Sequence, residues 1–182
     1  MIKLTKAIRF AGLAHAKIRQ TRNGNGEPYI NHPIRVAEIV ANYIGQFTSD
    51  TELICDVLCA AYLHDTVEDT GVTITEIGLM FGTRVADLVQ ELTNKAASFA
   101  ERKRALLVKA ERMTDFARLI KMADRLDNVS DFESTGPDFA KRYSGETVAL
   151  LNCLQKGTQV WEKFEPLKIK IQEKINPYLP SA

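Results

Sequence analysis

Apolar residues recur at spacings of three and four along almost the whole chain. Leu53, Val57 and Ala61 form one such series, and Leu119, Met122, Ala123 and Leu126 another. This is the periodicity of helices with one buried face. No run alternates with period two for long enough to predict a strand. Polar residues punctuate the pattern. Ser49-Asp50-Thr51-Glu52, Thr73-Ile74-Thr75-Glu76 and Ser98-Phe99-Ala100-Glu101 each read as a capping box, in which hydroxyl and carboxylate satisfy exposed amides at a helix start. Asn31 followed by Pro33 marks a further start, because proline is tolerated in a first helical turn. The expected helices run roughly over 4–20, 32–46, 50–68, 73–81, 83–96, 99–112, 115–131, 138–160 and 161–176. Polar loops are expected at 21–28 and 134–137. Asn176-Pro177 should end the last helix and leave residues 177–182 frayed. No repeat, low-complexity tract or linker interrupts the pattern, so one all-α domain spanning 1–182 is expected.

Composition narrows the class. The 182 residues are 45% apolar, with 24 basic against 23 acidic side chains. Such a chain can bury a real core, and disorder is excluded. A net charge of +1 argues against nucleic acid as a partner, since duplex binding needs a clustered positive field. The longest wholly apolar run, Val57 to Leu63, is too short to span a bilayer, so no membrane partner is expected. The N-terminus has no apolar h-region, so no signal peptide is expected. Cys55, Cys59 and Cys153 form no even framework and no CxxC, which suggests free thiols and a cytoplasmic location.

The expected helix 50–68 is apolar nearly all round from Leu53 to Leu63, then ends in His64-Asp65-Thr66-Val67-Glu68-Asp69. His64 continues the stripe of Leu53, Val57, Ala60 and Ala61, and Asp65 that of Ile54, Leu58 and Ala61. One more turn would put Glu68 under His64 and Asp69 under Asp65. Two readings are open at this point. A helix end emerging into solvent makes acidic residues cheap. Alternatively, buried carboxylates are costly and a divalent cation removes the cost.

Other segments bear on that choice. Asp124 and Asn128 are i, i+4 neighbours beside the apolar stripe of a second helix, and His32 stands at a helix start beside Pro33. Two imidazoles and two carboxylates suit Mn²⁺, Fe²⁺ or Zn²⁺. His15 is read as structural or supporting rather than as a ligand.

The strings HAKIRQTRNGNGEPYINHPIRVAEI, LHDTVEDT, FGTRVADLVQELT and KMADRLDNV follow one another in order. Together they resemble the HD-domain hydrolases of the RelA/SpoT-homologue family, most of all the stand-alone small alarmone hydrolases. The resemblance covers roughly residues 5 to 150. It implies an HD-type helical bundle holding one Mn²⁺ ion, other divalent metals being possible, on His32, His64, Asp65 and Asp124. It implies that Glu68 and Asp69 position and activate the attacking water. Asn128 is implied in substrate contact near the ribose, and Arg22 is the nearest match to the arginine that packs on the nucleobase. The implied reaction removes the 3′-diphosphate of (p)ppGpp-type nucleotides, giving GDP or GTP and pyrophosphate.

A substrate with two polyphosphate groups needs cationic neighbours. Lys121, Arg125 and Arg142, with the aromatic Tyr143, are candidates beside the second helix. Arg19, Lys141 and the Arg102-Lys103-Arg104 cluster are further candidates, the cluster being equally a solvated face.

The sequence also departs from the family pattern. The Arg22-Asn23-Gly24-Asn25-Gly26 loop lacks the lysine common after the arginine and is one residue longer. Asp127 stands where relatives often carry histidine or tyrosine. Base preference is therefore open, with (p)ppApp as an alternative substrate. A chain of this length has no room for a synthetase domain, so hydrolysis without synthesis is expected. Competing readings are a mononuclear HD nucleotidase and a non-catalytic nucleotide-sensing helical domain. No oligomer seam is identifiable.

Overall fold

The computed structural model describes residues 2–22, 26–95 and 98–180, with the Phe99 side chain left aside. Its contacts gather the chain into two compact units, 1–95 and 96–182. Both are helical. No helix among the described residues is long and apolar enough to cross a membrane.

In the first unit, α1 (Ile2–Lys17) is followed by a small hairpin of β1 (Thr21–Arg22) and β2 (Glu27–Pro28). Then come α2 (Asn31–Tyr43), α3 (Thr51–Leu63), α4 (Thr66–Asp69), α5 (Ile74–Phe81) and α6 (Thr83–Leu92). Helix α3 is the centre, packing against α1, α2 and α6. Its Val57, Ala60, Ala61 and Leu63 are fully buried, as are Ala7 and Ala11 of α1, Val36 and Val40 of α2, and Val85 and Val89 of α6. Each large aliphatic side chain removed from water in this way contributes about 1.5–3 kcal/mol. The alanines let neighbouring axes approach closely. Asp56 of α3 is a buried charge in this core. It is ion-paired with Lys3 of α1, and with Arg84 of α6 at 2.8 Å, so the three helices are tied through one carboxylate. All three cysteines are free thiols. Burial first, and then Cys55, push the Cys59 thiol up to about 12.

The second unit contains α7 (Phe99–Ala110), α8 (Asp115–Ser130), α9 (Pro137–Lys156) and α10 (Glu165–Ile175), with 3-10 turns between α8 and α9 and between α9 and α10. Helix α8 packs on α9 and α10, and α7 packs on α9. Leu119, Ile120 and Met122 of α8 meet a core that includes Leu150, Leu154, Leu167 and Ile171. A fully buried arginine, Arg118, lies in this core. Its guanidinium donates to Ala110 O at 2.8 Å, Glu111 O at 3.1 Å and Leu154 O at 2.7 Å. Those carbonyls lie at the C-terminal ends of α7 and α9, where the helices themselves supply no donor.

The expected caps are present at Thr73 with Glu76 and at Ser98 with Glu101, each making the reciprocal bonds of a capping box. At α3 the cap is Asp50 rather than Ser49. Its carboxylate accepts from the amides of Glu52 at 2.9 Å and Leu53 at 3.2 Å. Two glycines do steric work. Gly82, at φ 92°, makes the turn from α5 to α6. Gly157 follows α9, which stops at Lys156 rather than at the expected 160, and a Cβ there would lie 1.9 Å from Glu111 O and 2.2 Å from Arg118 Nη2.

The structure differs from the sequence expectation at three further places. The loop at 21–28 contains an antiparallel pair, with Thr21 opposite Pro28 and Arg22 opposite Glu27, while its tip, 23–25, lies outside the described residues. The helix expected at 161–176 starts as a 3-10 turn over Trp161–Lys163 before α10 begins. At the other end, Asn176–Tyr178 form a 3-10 turn, and the Tyr178 ring packs edge-on to Phe132 at 5.0 Å, so the chain stays packed past the point where fraying is expected. Residues 181–182 lie outside the described residues.

Candidate metal centre

The helix expected to run through residue 68 breaks at His64 and Asp65 into α3 and α4. Two side chains account for the break. His64 Nδ1 lies 2.8 Å from Ala61 O, and Thr66 Oγ1 donates to Leu63 O at 2.7 Å. Side-chain donors thus compete with the backbone for the last carbonyls of α3. The backbone bond from Asp69 N to Asp65 O, at 2.9 Å, keeps Asp69 one turn beyond Asp65 as expected.

The break sets the geometry of a polar cluster within the first unit. His32, at the start of α2, and His64 are both buried, with ring centroids 5.1 Å apart. Their Nε2 atoms face the same oxygen, Asp65 Oδ2, at 3.5 Å for His32 and 3.0 Å for His64. Tyr29 OH donates to that oxygen at 2.6 Å. Loss of hydration alone would raise the Asp65 carboxyl, but His64 and His32 beside it override this and hold it well below the usual carboxylate range. For His64 the tautomer follows from the geometry. Nδ1 carries the proton given to Ala61 O, so Nε2 is the nitrogen that faces Asp65 Oδ2, at 3.0 Å. That is the arrangement of a metal-ligating histidine oriented through its other nitrogen. Two imidazole nitrogens and a carboxylate oxygen drawn to one point fit a divalent transition-metal ion.

Asp69 accepts a hydrogen bond from Gln20 Nε2 at 2.8 Å, and Gln20 Oε1 lies 2.6 Å from His15 Nδ1. Loss of hydration around its carboxyl, then the charge of Asp65, push Asp69 above the usual carboxylate range. Glu68 accepts the Asn94 backbone N–H at 2.8 Å. Arg22 is buried in β1.

In the second unit, Asp124 of α8 is buried and both its oxygens are held by neighbours on the same helix. Lys121 Nζ lies 2.8 Å from Oδ2, and Asn128 Nδ2 donates to Oδ1 at 2.6 Å. Arg125 lies over the Tyr143 ring at 4.2 Å and reaches Thr147 Oγ1 at 3.5 Å. Arg142 lies over Phe139 at 5.5 Å. Arg102, Lys103 and Arg104 are exposed on α7, with Lys103 paired to Glu146 at 3.3 Å, as the solvated-face reading has it.

The sequence reading puts His32, His64, Asp65 and Asp124 at one centre, and within the first unit the structure brings the first three together. It missed Tyr29 and Gln20, whose partners lie 36 and 49 residues away. Tyr29 stands three residues before His32, one helical turn, which was the available signal. Gln20 gave none.

Buried histidines and an aspartate thus converge at a helix end. The model of the HD domain matches residues 7–158, and the chain belongs to that family. Human guanosine-3′,5′-bis(diphosphate) 3′-pyrophosphohydrolase MESH1 is 41% identical over 137 residues, covering 75% of this chain and 73% of that protein. The bifunctional (p)ppGpp synthase/hydrolase SpoT of Escherichia coli K12 is 35% identical over 145 residues, which is 74% of this chain but 19% of that much longer protein. Among solved structures, a metazoan ortholog of SpoT that hydrolyzes ppGpp and plays a role in starvation responses matches with TM-score 0.80. It is 28% identical, with 97% of this chain and 96% of that one covered. A protein of Listeria monocytogenes EGD-e matches with TM-score 0.61 at 28% identity, covering 80% of this chain and 99% of that one.

Proposed function

We propose that the protein is a metal-dependent (p)ppGpp 3′-pyrophosphohydrolase, releasing pyrophosphate from the ribose 3′ position and leaving GDP or GTP. The observation that carries this reading is the convergence of His32 and His64 Nε2 on Asp65 Oδ2, in a chain whose relatives include MESH1. We assign one Mn²⁺ ion to His32, His64 and Asp65, with Asp124 as the fourth ligand that the family pattern implies. When bound, the ion supplies charge neutralisation of the phosphoryl oxygens and a water of lowered pKa.

The protein's own groups do the rest. Asp69, held at one oxygen by Gln20, keeps a carboxylate oxygen for a water proton. Glu68, anchored by the Asn94 amide, is its partner in orienting that water. Lys121 and Asn128 fix both oxygens of Asp124, so the roles assigned to them begin with orienting that ligand and extend to the nucleotide. Arg125 and Tyr143, packed on each other, and Arg142 are assigned to substrate phosphates and ribose. Arg22 is assigned to the base, with a guanidinium plane suited to stacking. The substrates are guanine alarmones, with (p)ppApp as the adenine alternative. The site of action is the cytoplasm.

The test is product analysis of the purified protein with Mn²⁺ on (p)ppGpp, (p)ppApp, deoxynucleotides and cyclic nucleotides, before and after chelation. Pyrophosphate and GDP or GTP are expected from (p)ppGpp, and chelation should stop their release. Preference for a substrate without a 3′-diphosphate rejects the reading. Within it, Glu68→Ala and Asp69→Ala should each keep manganese and nucleotide binding while turnover falls by ~10²-fold or more. Unchanged turnover in both variants removes the role given to this pair.

A further inference from the structure

Gln20 joins Asp69 to the buried His15 in the first unit. Its carboxamide lies between Asp69 Oδ2, at 2.8 Å from Nε2, and His15 Nδ1, at 2.6 Å from Oε1. The orientation is decided by donor and acceptor chemistry. An ionised carboxylate only accepts, so the Gln20 NH₂ must face Asp69. The Gln20 carbonyl then faces His15, and His15 Nδ1 must carry the proton. His15 is 1% exposed, and its Nε2 is buried with no hydrogen-bond partner among the described residues. A proton there would be an unsatisfied buried donor, which is the costlier arrangement. The imidazole is therefore neutral and protonated at Nδ1, and burial lowers its pKa in the same sense. The ring is fixed from its other side by Tyr29, whose centroid is 4.7 Å away and whose hydroxyl holds Asp65.

We propose that Gln20, locked in one orientation by His15, is a positioning residue for Asp69, tying Oδ2 so that Oδ1 is presented to the attacking water. This rests on the assignment of Asp69 to proton transfer made above. Neither His15 nor Gln20 touches substrate in this scheme. A hydrogen-bonded chain set by a buried tautomer costs nothing to reorganise at the moment of reaction.

The experiment is steady-state kinetics on Gln20→Leu, Asp69→Asn and the double variant with Mn²⁺ and (p)ppGpp. In Gln20→Leu, kcat should fall ~10–100-fold, as is typical when a supporting hydrogen bond is lost, with KM and manganese content unchanged. In the Asp69→Asn background the same substitution should have no further effect. His15→Asn, which can keep an N–H near the position of Nδ1, should retain more activity than His15→Ala. Should Gln20→Leu fold poorly, Gln20→Glu replaces the donor by a second acceptor and carries the same expectation. An unchanged kcat in the Gln20 variants, or an equal fall in both backgrounds, overturns the positioning role while leaving Asp69 in place. Undiminished turnover in Asp69→Asn instead overturns the catalytic assignment, and the positioning role with it.

Discussion

Replacing His64 with alanine should strip manganese from the protein and lower turnover by ~10³-fold or more, since several kcal/mol of transition-state charge stabilisation go with the ion and each 1.36 kcal/mol is tenfold. The expectation comes from how the ring is held. Its Nδ1 bond to Ala61 O, at 2.8 Å, aims Nε2 at the oxygen of Asp65 that His32 also faces. Alanine removes the ligand and leaves α3 intact, because the backbone here is a good helix former's and the cap at Asp50 is far away. Metal content of the purified variant and pyrophosphate release are the two measurements. They should fall together, whereas in Asp69→Ala the metal should stay. Full manganese occupancy in His64→Ala would remove His64 from the ligand set.

Arg118→Met should destabilise the protein by about 3–5 kcal/mol, the cost of removing one partner from a buried charged network. Arg118 is fully buried and serves carbonyls at the ends of two helices, Ala110 in α7 with Glu111 just after it, and Leu154 in α9. Methionine fills the volume but donates nothing, so three carbonyl groups lose their donor at once. Lysine is no remedy, because a single ammonium cannot reproduce the planar fork. At about 2–4 °C per kcal/mol for a chain of this size, the melting temperature should fall by roughly 10 °C. Gly157→Ala should act on the same spot from the other side, pressing a methyl group against Glu111 O and Arg118 Nη2. A thermal melt checks both, and an unchanged midpoint in Arg118→Met would contradict the capping role.

The helices were legible because their signals are local. Thr73 with Glu76 and Ser98 with Glu101 announce their own starts, and the apolar stripe of α3 marks it as central before any contact is known. His64 and Asp65 stood out by residue type at the end of that stripe and His32 by its place at a helix start, while the resemblance is what joined them with Asp124 as an implied ligand set. What escaped needs tertiary knowledge or is too short to show a period. Two-residue strands cannot display an alternation, so the 21–28 hairpin reads as loop. The break at His64 depends on an imidazole and a hydroxyl choosing backbone carbonyls over solvent. Arg118 carries no sequence mark distinguishing a buried guanidinium from the solvated ones around it. Asp50 and Ser49 are both acceptable caps, and only the dihedral angles separate them.

The break between α3 and α4 has a thermodynamic corollary. The ring of His64 is immobilised by Ala61 O, and the chain that carries Asp65 is pinned by the Thr66 hydroxyl on Leu63 O. These are bonds among protein groups alone, so rotameric entropy is surrendered when the polypeptide collapses rather than when a cation arrives. Unlike a zinc finger, whose architecture dissolves in chelator, a scaffold of this kind should keep its fold when chelator is added, which far-UV circular dichroism with and without chelator checks.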